Sequence, residues 1–354
     1  MKRYVVILLA LLMLVCTACS KKTDDADANH ENPIVAPTPG EADEPYVPGD
    51  YDVLTGLPVD EPSALRPYAV MVNNIIYAQP QVGTSKAAWI YEIEAEGGIT
   101  RMLAVFSDLD DVPNMGSIRS VRPYYLSIAR SYDAILVHAG GSEPAYSDLA
   151  SSGYEHLDGV RDDAASAALF YRDPSRGAHG TEHTLFLHAD QVAAYAAQRG
   201  LRMEHNGNYS SGLNFADDAA SQGVGAANTV NVAVTTSKTT SFMYHADTGM
   251  YTAAQYGSDY IDGGTNEIVN FANVMVLNTT ISLTGDDKGH NEVEVIGSGT
   301  GYLITGGQYV PIQWSRADVD SPFTYTLEDG SPLFLSRGAT YCCIVNNGSN
   351  VTFA

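Results

Sequence analysis

The chain has 354 residues, 45% of them hydrophobic and 17% charged, with a formal net charge of −23 at pH 7. This is the composition of a globular chain with ample material for a core, and its length suggests two domains. The acidity argues against nucleic acid and anionic lipid as general partners, since phosphates demand clustered Lys and Arg, but it leaves room for a local basic patch.

Lys2 and Arg3 precede an apolar run over 4–15 that is too short to span a bilayer comfortably and has the layout of a secretory signal. The run closes on Cys16-Thr-Ala-Cys19-Ser20, whose small residues before Cys19 resemble the lipobox of bacterial lipoproteins. That likeness implies lipidation of Cys19, with 1–19 as the signal peptide, although Cys16 stands where leucine is usual. Cys16 and Cys19 also make a C-x-x-C, but one lying in a segment that is cut or lipidated. Residues 20–50 are rich in Asp, Glu, Pro and Ala and poor in large apolar groups, as in a flexible acidic tether.

From 51 to 215 the expected class is a layered α/β domain with a mixed sheet. Strands are expected at 68–73, 88–93, 100–106 and 134–137. A first helix is expected from an N-cap at Ser120 with Pro123 in its first turn, a second from Ser142, and a third over 190–198. After a Gly-, Ala- and Ser-rich joint at 219–228, the stretch 225–354 reads as a β-rich, mainly antiparallel domain. Its strands are expected at 229–235, 273–277, 292–296, 301–305, 309–314 and 341–345, with Gly297–Gly301 as a hairpin turn. Cys342 and Cys343 are neighbours in a strand, point to opposite faces and make no disulfide with each other.

Several motifs carry a resemblance. "LTGLPV", "RPYAVMVNN", "AQPQVGTSKAAWIYEIEAEGGITRMLAVF", "GSIRSVRPYY" and "YDAILVHAGGSEPAY" resemble the YerB-like bacterial lipoproteins. The likeness is dense over 54–149 and thinner toward the C-terminus. It implies a two-part surface lipoprotein and brings no known reaction, substrate or cofactor. Where that family has Pro-His-Asn, this chain has Glu182-His183-Thr184.

The polar residues of these motifs fall at strand ends and helix starts, where α/β folds collect ligands. Arg101, Arg119 and Arg122, with His138 and the Gly140-Gly141-Ser142 turn, are the candidate ligand-binding set; Arg119 and Arg122 are spaced to share a helix face. The competing reading is a buried salt-bridge network of Glu92 or Glu96 with Arg101 or Arg119. The turn reads first as structural, next as an anion cradle and last as a nucleophile site, because Ser142 has the look of an N-cap and the G-x-S-x-G signature is absent. His179-Gly-Thr-Glu-His183 fits H-x-x-E-H, but its glycine and the apolar run after it do not suit a zinc helix. No metal or cofactor is expected.

The function expected is therefore a binding or scaffolding lipoprotein, anchored to the membrane outside the cytoplasm. Its partner is an anionic envelope ligand or a membrane protein. The alternative is an envelope hydrolase using His138 or His183 with Glu92 or Glu96.

Overall fold

Runs of β-branched and aromatic residues make three adjacent strands, β1 (Tyr68–Asn74), β2 (Trp89–Glu94) and β3 (Thr100–Phe106). β3 lies between the other two and pairs antiparallel with both. The computed structural model describes residues 51–60, 63–207 and 209–354; the expected signal segment, Cys19 and the 20–50 tether lie outside them. Beyond β1 come Ile135–His138 and His156–Asp158, both parallel. Beyond β2 comes Thr340–Asn346 from near the C-terminus, parallel to β2, then Asn273–Thr279, again parallel. Antiparallel strands Gly297–Thr305, Gln308–Arg316 and Thr324–Leu327, with the short Gly225–Ala226 also paired to Gln308–Arg316, complete an 11-stranded mixed sheet. Strands from both stretches read in the sequence thus pair in one sheet.

Both faces of this sheet are buried, which is why its strands read as near-continuous apolar runs. One face is covered by helices α1 (Pro123–Ser131) and α2 (Glu143–Ser152), packed over Met71, Tyr91, Leu103 and Cys342. The other is covered by a six-stranded antiparallel sheet, which brings Val232, Phe242 and Tyr251 against Val72, Met102, Tyr341 and Cys343. Cys342 and Cys343 are free, buried and in the cores of opposite faces.

Three local expectations are corrected. α1 starts at Pro123 with Arg122 as its N-cap residue, and the Ser120 hydroxyl donates instead to the Ala139 carbonyl at 3.1 Å. Arg119 therefore precedes the helix and shares no helical face with Arg122. Gly297–Gly301 is strand rather than turn: a Cβ at Gly301 would sit 2.1 Å from the Val276 carbonyl, and one at Gly299 2.5 Å from the Trp314 indole nitrogen. The glycines there let strands approach closely instead of reversing the chain. The helix Asp163–Leu169, capped by Asp162, was not visible in the sequence pattern.

Candidate functional site

The site lies at the carboxyl ends of the parallel strands β1 and Ile135–His138, where open α/β sheets leave a crevice. Residues 117–119 run antiparallel along the end of β1: the Asn73 amide donates to the Ser117 carbonyl at 2.9 Å, and the Arg119 amide to the Met71 carbonyl at 3.0 Å. Across the other edge, Asn73 faces Arg101 of β3. Alternation puts Asn73 and Arg101 on the helix-covered face, with Met71 and Leu103. The turn from β2 to β3 holds Gly97 and Gly98 at φ 69° and 76°, which L side chains avoid, and carries Glu96 back toward the same place.

Glu96 is the centre of an arginine cluster. Its carboxylate accepts from both Nη atoms of Arg101 (3.0 Å for Nη1 to Oε2), and from Arg122 through Nε at 3.2 Å and Nη2 at 2.6 Å. Burial alone would raise the Glu96 pKa, but the two guanidiniums outweigh it and hold it down at about 2. Burial, with the neighbouring Arg101 charge, lowers Arg122. The same two causes bring Arg119 down to about 10. Arg119 reaches only a carbonyl, that of Glu182, at 3.4 Å. Among the described residues no carboxylate lies within 4 Å of it, and its buried Nε has no partner. The Arg101 Nε and the Asn73 Oδ1 are likewise buried and unpartnered. Two guanidiniums therefore share Glu96, and the third, Arg119, has no carboxylate of its own.

The Gly140–Ser142 turn beside them is built as a structural joint. Gly140 has φ 76°, and its amide donates to Asp158 Oδ1 at 2.9 Å; Asp158 Oδ2 accepts from the Tyr146 hydroxyl at 2.6 Å. Ser142 caps α2 through the Ala145 amide at 3.4 Å, so its hydroxyl is engaged. Gly141 bridges to Val121 and ties the turn to the start of α1. His138 is fully buried: Nδ1 donates to the Gly140 carbonyl at 2.8 Å, which leaves Nε2 to accept from His156 Nδ1 at 2.9 Å. Burial drives its pKa to about 4, so it is neutral. Asp158 and His156 organise this turn, and the sequence offered no signal for them, because their strand is short and pairs only after the fold forms.

The remaining candidates separate. Glu92 points to the opposite face of the sheet from the cluster. There it is buried against the Lys238 ammonium and accepts from Thr100 at 2.8 Å, Thr240 at 2.7 Å and the Tyr341 hydroxyl at 2.7 Å. Burial opposes its ionisation, yet Lys238 and these donors hold its pKa below the usual carboxylate range. Glu96 is not in the strand with Glu92 but in the turn after it. His183 is buried with Nδ1 3.0 Å from the Asn73 side-chain Nδ2, and its Nε2 is 3.7 Å from Glu182. Neither His138 nor His183 pairs with Glu92 or Glu96 in these contacts. The H-x-x-E-H stretch forms two 3₁₀ turns, Pro174–His179 and Thr181–His183, parted by Gly180 at φ 133°, and His179 stacks on Tyr77 at 4.0 Å. Its histidines are therefore not one turn apart on an α-helix.

A groove of about 770 Å³ also opens between α1, α2 and the strand Asn291–Val293. Arg122 and Ser142 reach its edge, but Asp148, Glu292 and Glu294 line it too, so its free charge is negative.

Fold and site together define a mixed α/β protein with an arginine cluster at its strand ends. The chain belongs to the family described as protein of unknown function (DUF3048), matching its N-terminal domain over residues 54–202 and its C-terminal domain over 230–342. It is similar to the Bacillus subtilis (strain 168) protein named "Putative lipoprotein YerB", 29% identical over 298 residues that cover 82% of this chain and 85% of that one. The crystal structure of YerB from Bacillus subtilis superposes with a TM-score of 0.73 at 26% identity, covering 85% of this chain and 99% of that one. Among the described residues no helix is long and apolar enough to cross a membrane.

Proposed function

We propose that this is an extracytoplasmic binding lipoprotein, held at the membrane through Cys19, whose arginine cluster takes an anionic group at Arg119. The similarity to a protein named as a lipoprotein and the lipobox-like Cys16–Ser20 support the anchor. The observation that carries the binding reading is the charge imbalance: Arg101 and Arg122 share Glu96, while Arg119 has a buried, unpartnered Nε and no carboxylate. A buried donor left unmade costs roughly 1–3 kcal/mol, which an incoming anion would recover. The site moves from the Gly140–Ser142 turn, whose groups are occupied, to Arg119 and its neighbour Asn73.

The test is thermal unfolding of the full chain in mild detergent with phosphate, sulfate, nucleotides, and peptidoglycan and teichoic-acid fragments. A ligand at 100 times its Kd stabilises by about 2.7 kcal/mol. The expected result is a ligand-specific rise in Tm that Arg119→Gln abolishes. No rise with any anion, or an undiminished rise in the variant, overturns the reading. For the anchor, Cys19→Ala should move the protein from the membrane fraction to the soluble one; retention contradicts it.

A further inference from the structure

Most arginines of the described residues have a carboxylate within 4 Å: Arg66, Arg101, Arg122, Arg130, Arg161, Arg199, Arg202 and Arg337. Arg119, Arg172, Arg176 and Arg316 do not; Arg316 is held by the Ser127 hydroxyl and the Val295 and Ser321 carbonyls at 2.9–3.3 Å, while the other three bear on the loop 172–184. Arg172 Nη1 donates to the Thr181 carbonyl at 2.6 Å and to Thr184 Oγ1 at 3.0 Å. Arg176 donates to the carbonyls of Gln79 at 3.2 Å and Pro80 at 3.0 Å. Arg119 joins them through the Glu182 carbonyl at 3.4 Å. Neutral acceptors fix each guanidinium in place without cancelling its charge.

The loop's own carboxylates make no ion pair with these arginines within 4 Å, although the Glu182 charge is felt at Arg119. Asp173 accepts from the Ser175 amide at 2.9 Å and from its hydroxyl at 2.6 Å, and Glu182 lies 3.7 Å from His183 Nε2. The exposed His179 is stacked on the half-exposed Tyr77, and Tyr77 is in turn packed near His183 at 6.2 Å. In a chain of net charge −23, these are cations positioned by neutral acceptors on one loop, with no carboxylate within 4 Å. Cations held in advance bind anions without the entropy of gathering them.

We infer that loop 172–184 extends the Arg119 site, and that the ligand is a polyanion bearing several phosphate groups rather than one isolated anion. This rests on the anion reading of Arg119 and adds Arg172 and Arg176 as further contacts. A single phosphate is satisfied by one or two guanidiniums. Three, fastened separately around the loop, match charges repeated along a chain.

The experiment is calorimetric titration of the full chain in detergent with sodium phosphate and with sodium tripolyphosphate. Arg119→Gln, Arg172→Gln, Arg176→Gln and the charge-keeping Arg176→Lys are compared, with each variant's Tm recorded. The expected result is tripolyphosphate binding about tenfold or more tighter than phosphate. Arg172→Gln and Arg176→Gln should each weaken tripolyphosphate about tenfold and leave phosphate unchanged, while Arg176→Lys retains most of the affinity. If both probes bind alike and only Arg119→Gln matters, the inference falls and the single-anion site stands. If neither binds, both fall. A third arm sediments Cys19→Ala protein with phosphatidylglycerol vesicles; vesicle binding without tripolyphosphate binding overturns the proposal in favour of a membrane surface.

Discussion

Two polar clusters lie back to back across the central sheet, and they are built differently. On one face Glu92 is closed on every side by Lys238, Thr100, Thr240 and Tyr341, while Lys238 also donates to Gln255 at 2.6 Å. On the other, Glu96 is shared by two arginines, and unpartnered nitrogens remain on Arg101 and Arg119. The first cluster is complete without a ligand and joins the two family domains, since Glu92 comes from one and Lys238 from the other. The second carries surplus charge at the strand ends. Completeness, more than burial or residue type, separates a structural ion pair from a candidate site.

The contrast is broken most severely at Lys238. Lys238→Met leaves the Glu92 carboxylate buried without a counter-charge and should cost about 3–5 kcal/mol in urea unfolding; adding Glu92→Gln should recover most of it. A loss no larger than that of a surface substitution would mean the network is not closed. Next in size, Glu96→Gln should cost about 1.5–3 kcal/mol by weakening the bonds to Arg101 and Arg122. The same change should tighten anion binding at Arg119, because the competing carboxylate is gone. Loss of stability together with weaker binding would make Glu96 part of the ligand site instead of its internal counter-ion.

The smallest effect, taken per pH unit, is on pH dependence. His138 has its pKa lowered from 6.5 to about 4, so between these values the unfolded chain binds the extra proton and stability falls on acidification. Glu96, lowered from 4.5 to about 2, contributes stability above 4.5 that is lost as pH falls toward 2. Both shifts point the same way. Urea midpoints should decline from pH 6.5 to 4 with a slope of up to about 1.4 kcal/mol per pH unit from His138 alone, and less steeply in His138→Gln. An equal slope in the variant would place the titration on another group.

Much of the local structure was legible in the sequence. The apolar runs at β1, β2 and β3 marked strands because both sheet faces are buried, and Ser142 before Glu143-Pro144 marked the start of α2 because capping is a local contest for orphan amides. The adjacent cysteines of the strand Thr340–Asn346 were placed on opposite faces by alternation alone. What local pattern determines is which residues form strands or helix starts and which way successive side chains point.

Partners were decided only by the tertiary structure. No sequence rule pairs Glu92 with Lys238, 146 positions away, or His138 with His156 and the turn that Asp158 holds. The spacing of Arg119 and Arg122 suggested a shared helical face, but Arg119 is held in an extended segment against β1 and its side chain turns to the loop 172–184. Gly297–Gly301 looked like a turn because glycines punctuate turns, and proved to be strand because Trp314 and the Val276 carbonyl press against it. Propensity and alternation act over a few residues. Charge compensation and close packing depend on which distant segments the sheet brings together, and that is where the sequence alone stops.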